Sequence, residues 1–404
     1  MKKIIALALV LAMVFALVAC DANGNIDQAA VEQAATEIAA AVQEAAPAAE
    51  PAAEPAEEAP AAEEAPAGNK ALKLASHNAV VEGNPYRVRY ELDIQEAAAD
   101  AANYGYDVSY NSFVANSDQA TEIQQIQNSI NEGYDIILVN PCATTGLDPV
   151  ILAAQDAGIY YINSDCAYMS TDVDILNVCT DQEYLGYKTG SYAGEVLPAG
   201  SKIAMIAAWD GNQANTDRQR GFEKAIAEGG LDVVATGNHD WDTTKSQQIM
   251  AEILNSGKQI DGVLVSQCAE NALAAYDAAG VAYPGFIGFG DTGAFMHKMV
   301  EINKDGTVLP FIVLSNPPGV GATAFNFALN AIEGKTLKDG VYAEGCEDTH
   351  QIWIKSKVCF TDKDLAAGTE VEGMSIPDYA ASFEDGDSIT FWLTKAEVAD
   401  MYFN

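Results

Sequence analysis

Residues 123–141 read IQQIQNSINEGYDIILVNP. Ile123, Ile126 and Ile130 share one face at helical spacing, and Gly133 follows as a helix stop. Ile136–Val139 is then a continuous apolar run, short enough for a strand buried on both faces, and it ends in Asn140-Pro141. The chain repeats this unit. Further apolar runs are Ile159–Ile162, Ile203–Ala207, Gly262–Val265, Phe286–Phe289 and Phe311–Leu314. Between them lie segments of helical period: Phe222, Ala225 and Ile226 precede Gly229-Gly230, and Ile249 and Ile253 precede Gly257. Strand–helix alternation with unbroken apolar strands predicts a parallel sheet covered on both faces. The units are too many for one sheet of ordinary size. The predicted fold class is therefore α/β, with two doubly wound parallel-sheet lobes.

The 404 residues leave room for two or three domains, and a 49% hydrophobic fraction excludes wholesale disorder. Acidic residues outnumber basic ones 58 to 21, for a net charge of −37. Nucleic-acid binding needs a basic face, and docking by charge on anionic lipid needs one too, so both are excluded as partners. The charge itself reads as solubility.

Upstream of the alternating part the composition changes twice. Lys2 and Lys3 precede an apolar run from Ile4 to Val18, too short to span a bilayer and of the form of a secretory signal. Leu17-Val18-Ala19-Cys20 resembles the bacterial lipobox, which implies a signal peptide over 1–19 and lipidation of Cys20. The protein is then expected at the cell membrane, lipid-anchored on the extracytoplasmic face. From Asp21 to Gly68 there is no Lys or Arg, while Ala, eleven acidic residues and Pro47, Pro51, Pro55, Pro60 and Pro66 dominate. Such a stretch buries too little apolar surface to offset its ordering entropy, so residues 20–68 read as a disordered tether.

In open parallel sheets, ligands bind beyond the carboxyl ends of the strands. Hydrogen-bonding residues follow six of the runs here: Asn140, Asn163-Ser164-Asp165, Trp209-Asp210, Ser266-Gln267, Asp291 and Ser315-Asn316. Turns favour such residues anyway. Their recurrence at one sheet edge points to a cleft for a polar ligand.

The same residues carry a resemblance to the type I periplasmic sugar-binding proteins of the ribose and galactose kind. It runs from about Leu72 to about Lys338, through Asn84-Pro85-Tyr86, Ile137–Pro141, Arg218–Phe222 and Gly288-Phe289 with Asp291. It implies two lobes joined by a three-segment hinge, with crossings near Thr180, Ser315 and Gly345. The lobes would be residues 69–180 plus 316–345, and 181–315 plus 346–404. It also implies a cleft in which Asn84, Tyr86, Asp165, Arg218, Trp241, Asp291 and Ser315 contact the ligand. Tyr86 and Trp241 would cover the C–H faces of a sugar ring, while Asp165, Arg218 and Asp291 would hold hydroxyls. Trp209 is a second stacking candidate. The partners implied are a small solute, above all a monosaccharide, and an ATP-driven (ABC) permease, with the chain a monomer. A sensory receptor presenting a ligand to a signalling partner is the alternative, as is a non-sugar ligand such as a nucleoside.

The chain departs from that pattern where Cys166 follows the carboxylate in place of an arginine, where Cys268 stands for an asparagine, and where Gly290 shifts the last carboxylate to Asp291. Cys346/Cys359 and Cys166/Cys179 are pairs that export would allow to bridge; free cysteines packed as small hydrophobes are the other reading. There is no Cys-x-x-Cys, no zinc spacing, no nucleophile elbow and no phosphate loop, so no metal, cofactor or catalysis is expected.

Overall fold

The computed structural model describes residues 69–404 apart from Gly83 and Gly211. The expected signal peptide, Cys20 and the tether lie outside the described residues. Among the described residues the strands assemble into two six-stranded sheets and one two-stranded ribbon, and nine of the eleven connections between successive strands of the large sheets contain a helix. The first holds β1 (Lys70–Asn78), β2 (Tyr106–Val114), β3 (Ile136–Asn140), β4 (Tyr160–Ser164), β5 (Leu176–Thr180) and β11 (Gln351–Ile354), in the order β11-β5-β4-β3-β1-β2. All its pairs are parallel. The second holds β6 (Lys202–Ala207), β7 (Asp232–Asn238), β8 (Gly262–Val265), β9 (Ile287–Gly290), β10 (Phe311–Leu314) and β12 (Cys359–Thr361), in the order β12-β10-β9-β8-β6-β7. Only its edge strand β12 is antiparallel. β3, β8, β9 and β10 are buried along their whole length, as strands covered on both faces must be.

The chain leaves the first sheet at Asp181, which caps α4 (Gln182–Val196) by accepting from Tyr184 N at 2.8 Å. α4 lies unusually close to α5 (Gln213–Gly229). A Cβ on Gly186 would meet Arg218 O at 1.9 Å, and one on Gly221 would meet Glu183 O at 2.2 Å. Glycine on both helices is what lets their backbones touch, and this contact sets where Arg218 sits.

The chain returns to the first lobe after β10, where α9 (Val320–Ile332) packs on α1 (Pro85–Asp100), β4 and β5. Here the expected assignment of residues 346–404 to the second lobe is corrected. β11 pairs with β5, so the next change of lobe lies between Ile354 and Cys359 and not at Gly345. A fourth passage follows at Ser388–Leu393. Ser388 bridges to Thr292 in the second lobe, while Leu393 N donates to Thr323 Oγ1 in the first. The last helix, α12 (Lys395–Tyr402), then packs on α9, with the Tyr402 and Phe327 rings 4.9 Å apart. The physical reason is the open edge of β5, whose backbone groups β11 satisfies.

The six described cysteines are free in this structure, which matches the reading of unbridged cysteines rather than Cys346/Cys359 and Cys166/Cys179 pairs. Among the described residues no helix is long and apolar enough to cross a membrane.

Candidate ligand-binding site

The carboxyl ends of both sheets face the hinge segments, and the polar strand-end residues gather there in two groups. The first belongs to the first lobe. Asp165 follows β4 in a left-handed conformation, φ +65°. Tyr86 Oη donates to Asp165 Oδ1 at 2.8 Å, and Asn140 Nδ2 donates to Oδ2 at 3.0 Å. The Arg87 guanidinium forms an ion pair with the same oxygen at 2.6 Å. Tyr86 and Arg87 occupy the first turn of α1, which Asn84 caps by accepting from Arg87 N at 3.2 Å and which opens with Pro85.

The second group belongs to the second lobe. Arg218 is fully buried on α5; its guanidinium donates to Gln182 Oε1 and to the carbonyl of Ser266. Gln182 in turn donates to Asn316 Oδ1 at 2.9 Å, so the arginine is wired to the first and second hinge passages at once. Its plane lies over the rings of Phe289, at 5.0 Å, and Trp241, at 5.7 Å. Burial pushes Arg218 down to about 10, against the pull of Asp291. Burial pushes the Asp291 carboxyl up to about 7, with Arg218 opposing the rise.

Several buried polar atoms here have no partner of good geometry: both carboxylate oxygens of Asp291, Oδ1 of Asn140 and of Asn163, and both ring nitrogens of His239. The backbone amides of Asp291 and Asn316 lie near the Asp291 carboxylate without forming bonds of good geometry. Orphaned groups cost about 1–3 kcal/mol each when left unmet. Standing at the carboxyl ends of strands of both sheets, they mark surfaces made for hydrogen bonding to a guest.

The structure thus brings Tyr86 and Asp165 together on one wall, and Arg218 and Trp241, with Asp291 electrostatically coupled, on the other. Two of the expected contact residues carry bonds within the fold. Asn84 spends its side-chain oxygen on the helix cap, and Ser315 Oγ donates to Ile389 O at 2.7 Å, pinning the second passage to the fourth. Trp209 is 59% exposed and takes no part in either group. Arg87, Gln182 and His239 belong to the groups and went unseen in the sequence. A signal existed for Arg87: a cation in the first turn of a helix opposes the helix dipole and needs a carboxylate beside it.

A groove of about 660 Å³ is lined by Met169, Asp217, Arg220, Cys346, Gln351 and Trp353 among others. None of the Asp165 or Arg218 partners lines it, and Arg220 is already paired with Glu183 at 2.6 Å and Asp217 at 2.8 Å. The two strand-end groups are the better site because their buried polar atoms remain unmet. Among the described residues no group of His, Cys, Asp and Glu is placed to hold a metal ion.

Comparison with known proteins agrees with this architecture. Residues 79–336 match the family model described as periplasmic binding protein domain. The ribose import binding protein of Salmonella typhimurium is 26% identical over 235 residues, covering 57% of this chain and 77% of that protein. Its Bacillus subtilis counterpart is 24% identical over 286 residues, covering 70% and 89%. Among solved structures, an ABC transporter periplasmic solute-binding protein from Actinobacillus succinogenes with bound D-allose superposes with a TM-score of 0.57 at 19% identity, covering 72% of this chain and 98% of that one. An ABC transporter solute-binding protein from Bacillus halodurans with bound myo-inositol gives 0.56 at 23%, covering 78% and 99%. With two parallel-sheet lobes, a hinge of several passages and a polar strand-end cleft, this chain belongs to the periplasmic binding protein domain family.

Proposed function

We propose that this protein is an extracytoplasmic receptor that captures a small polyhydroxylated solute, a monosaccharide or a related polyol, between its lobes and delivers it to an ABC importer. The observation that carries the reading is the pairing of two complementary walls. One presents the Tyr86–Asp165–Arg87 group; the other presents Arg218 and Trp241 beside the unmet carboxylate of Asp291. A sugar supplies what these walls lack. Its hydroxyls both donate and accept, and its C–H face suits an indole. Each charge-assisted bond to a hydroxyl contributes about 1.5–3 kcal/mol. The relatives named above, which bind ribose, D-allose or myo-inositol by their descriptions, support the class of solute.

Asp165 and Asp291 accept hydroxyl protons, Arg218 donates to ring or hydroxyl oxygens, and Tyr86 and Trp241 flank the ring. Hinge closure buries the solute, which leaves unchanged when the lobes reopen; no bond is made or broken. The leader and tether fit this role: lipid on Cys20 keeps the receptor at the outer face of the membrane. The chain acts as a monomer in this reading.

The test is calorimetric titration of the purified protein with D-ribose, D-allose, D-xylose, L-arabinose, myo-inositol, nucleosides and amino acids. Saturable binding of one sugar or polyol, with quenching of tryptophan fluorescence, is expected. Binding confined to nucleosides or amino acids would overturn the sugar reading and leave the fold untouched. Fractionation of cells expressing Cys20→Ser tests the anchor, since an unlipidated chain is released from the membrane.

A further inference from the structure

His239 follows β7 at the wall that carries Trp241. Its backbone is fixed: His239 N donates to Ala207 O at 2.9 Å, and Asp242 N donates back to His239 O at 2.7 Å. Between them Asp240 and Trp241 both take left-handed conformations, φ +52° and +63°. Two successive residues other than glycine in that region are costly, about 1–3 kcal/mol each, and persist only where the surroundings hold them. The Asp242 side chain holds one end of the turn, accepting from Thr244 N at 2.8 Å and Lys245 N at 3.1 Å. The turn folds the indole back, so that its ring stands edge-on to the imidazole, 83° between planes and 5.9 Å between centres, with Arg218 over the same indole. The imidazole is wholly buried, and neither Nδ1 nor Nε2 has a partner among the described residues.

We propose that His239 is a specificity-determining residue of the cleft, contacting the bound solute directly through its ring nitrogens. A neutral imidazole has one N–H donor and one acceptor nitrogen. Leaving both unmet inside a lobe is a standing cost, which an apolar ring of similar size would not incur. The two unmet groups call for a partner that offers one donor and one acceptor close together. Two neighbouring hydroxyls on a saturated ring offer that combination, with the adjoining C–H face set against Trp241. This assignment rests on the reading of the cleft as a sugar or polyol site, and it adds a demand for a vicinal diol beside the indole. It accounts for the strain in the turn, which holds the imidazole and the indole on the same wall.

Calorimetry on the full chain with D-ribose, D-allose, L-arabinose and myo-inositol tests it, on the wild type, His239→Phe and His239→Gln, together with the melting temperature of each unliganded protein. The expected result has three parts. His239→Phe weakens the best-bound solute about tenfold or more. It melts no lower than the wild type without ligand, because the unmet nitrogens are gone. His239→Gln, which keeps a donor and an acceptor, restores binding to within about threefold and the wild-type order of preference. Equal affinity and equal preference in wild type and His239→Phe would overturn the assignment alone. So would a His239→Phe protein that melts well below the wild type, since the ring would then be a structural part of the lobe. A wild type silent to these four and to D-xylose would overturn the sugar reading, and this assignment with it.

Discussion

The guanidinium of Arg87 lies 2.6 Å from Oδ2 of Asp165, joining the first turn of α1 to the end of β4. The residue after the carboxylate is Cys166, and its sulfur sits 3.8 Å from Arg87 Nη2. The cation that the sequence pattern lacks beside Asp165 is thus supplied from a different element. Both side chains are largely shielded, at 14% and 10% exposure, so each depends on the other for its charge to be tolerated. Arg87→Ala leaves a shielded carboxylate with Tyr86, Asn140 and the weak Cys166 thiol as its side-chain donors. It is expected to cost about 3 kcal/mol of stability, measured by urea unfolding, and to weaken solute binding as Asp165 swings toward water. A loss below about 0.5 kcal/mol would mean that the pair is as weak as an exposed one.

Six of the twelve strands of the two sheets, β3, β4, β6, β8, β9 and β10, were legible because buried parallel strands leave continuous apolar runs. Ile136–Val139, Phe286–Phe289 and Phe311–Leu314 are runs of that kind. The edge strands were harder. In Tyr106–Val114 most residues are half-exposed or exposed, and Asp232–Asn238 buries only Ala235, so neither shows such a run. Asp165, Arg218 and Trp241 were expected at the cleft through the resemblance to sugar-binding proteins. Arg87 was not, because nothing in the spacing of 87 and 165 tells that α1 crosses the end of β4. The path of residues 346–404 was hidden for a related reason. Gln351–Ile354 and Cys359–Thr361 are short strands that complete different sheets, and which open edge each one meets is a property of the assembled lobes.

Arg218 makes three bonds within the protein before any solute arrives, to Gln182 and to the Ser266 carbonyl. Through Gln182 and Asn316 it also braces two hinge passages. Arg218→Ala should therefore act twice. Affinity for a hydroxylated solute should fall about tenfold or more, and the melting temperature of the unliganded protein should fall as well, because Gln182 and the Ser266 carbonyl lose their donor. Arg218→Lys keeps a charge without the planar fork and should recover part of the stability but little of the affinity. Unchanged affinity in Arg218→Ala would remove the residue from the site.

Burial raises the Asp291 carboxyl to about 7, whereas a carboxyl in the unfolded chain titrates near the usual 3.8. Between those values the folded protein holds a proton that the unfolded chain has released. The folded state is therefore favoured by lower pH in this window, and the destabilisation from Asp291 is complete only above about pH 7. His239, pushed down to about 4 by burial and by Arg218, works in the opposite sense, so a wild-type melting curve alone mixes the two. The difference between Asp291→Asn and wild type isolates the carboxyl. The variant should be the more stable protein at pH 8, with the advantage shrinking toward pH 4. Its affinity for solute should be lower, because an amide replaces a charged acceptor. An advantage that does not change with pH would show that Asp291 titrates as an ordinary carboxyl.

Ser315 stands at the second hinge passage, where the resemblance to sugar-binding proteins suggests a ligand contact. Its hydroxyl donates to Ile389 O at 2.7 Å, and the residue is wholly buried. Ile389 N donates in turn to Asp291 O at 2.8 Å, so the fourth passage is stitched to both β9 and β10 at their polar ends. Ser315→Ala removes one buried hydrogen bond and leaves the Ile389 carbonyl unmet, an expected loss of about 1 kcal/mol. Because the Asp291 backbone is also held from Ile389 N, the carboxylate keeps its place, and solute affinity should stay within about threefold of wild type. Calorimetry and urea unfolding on the same preparation separate the two roles: a hinge residue loses stability and keeps affinity, whereas a tenfold loss of affinity at unchanged stability would return Ser315 to the ligand site.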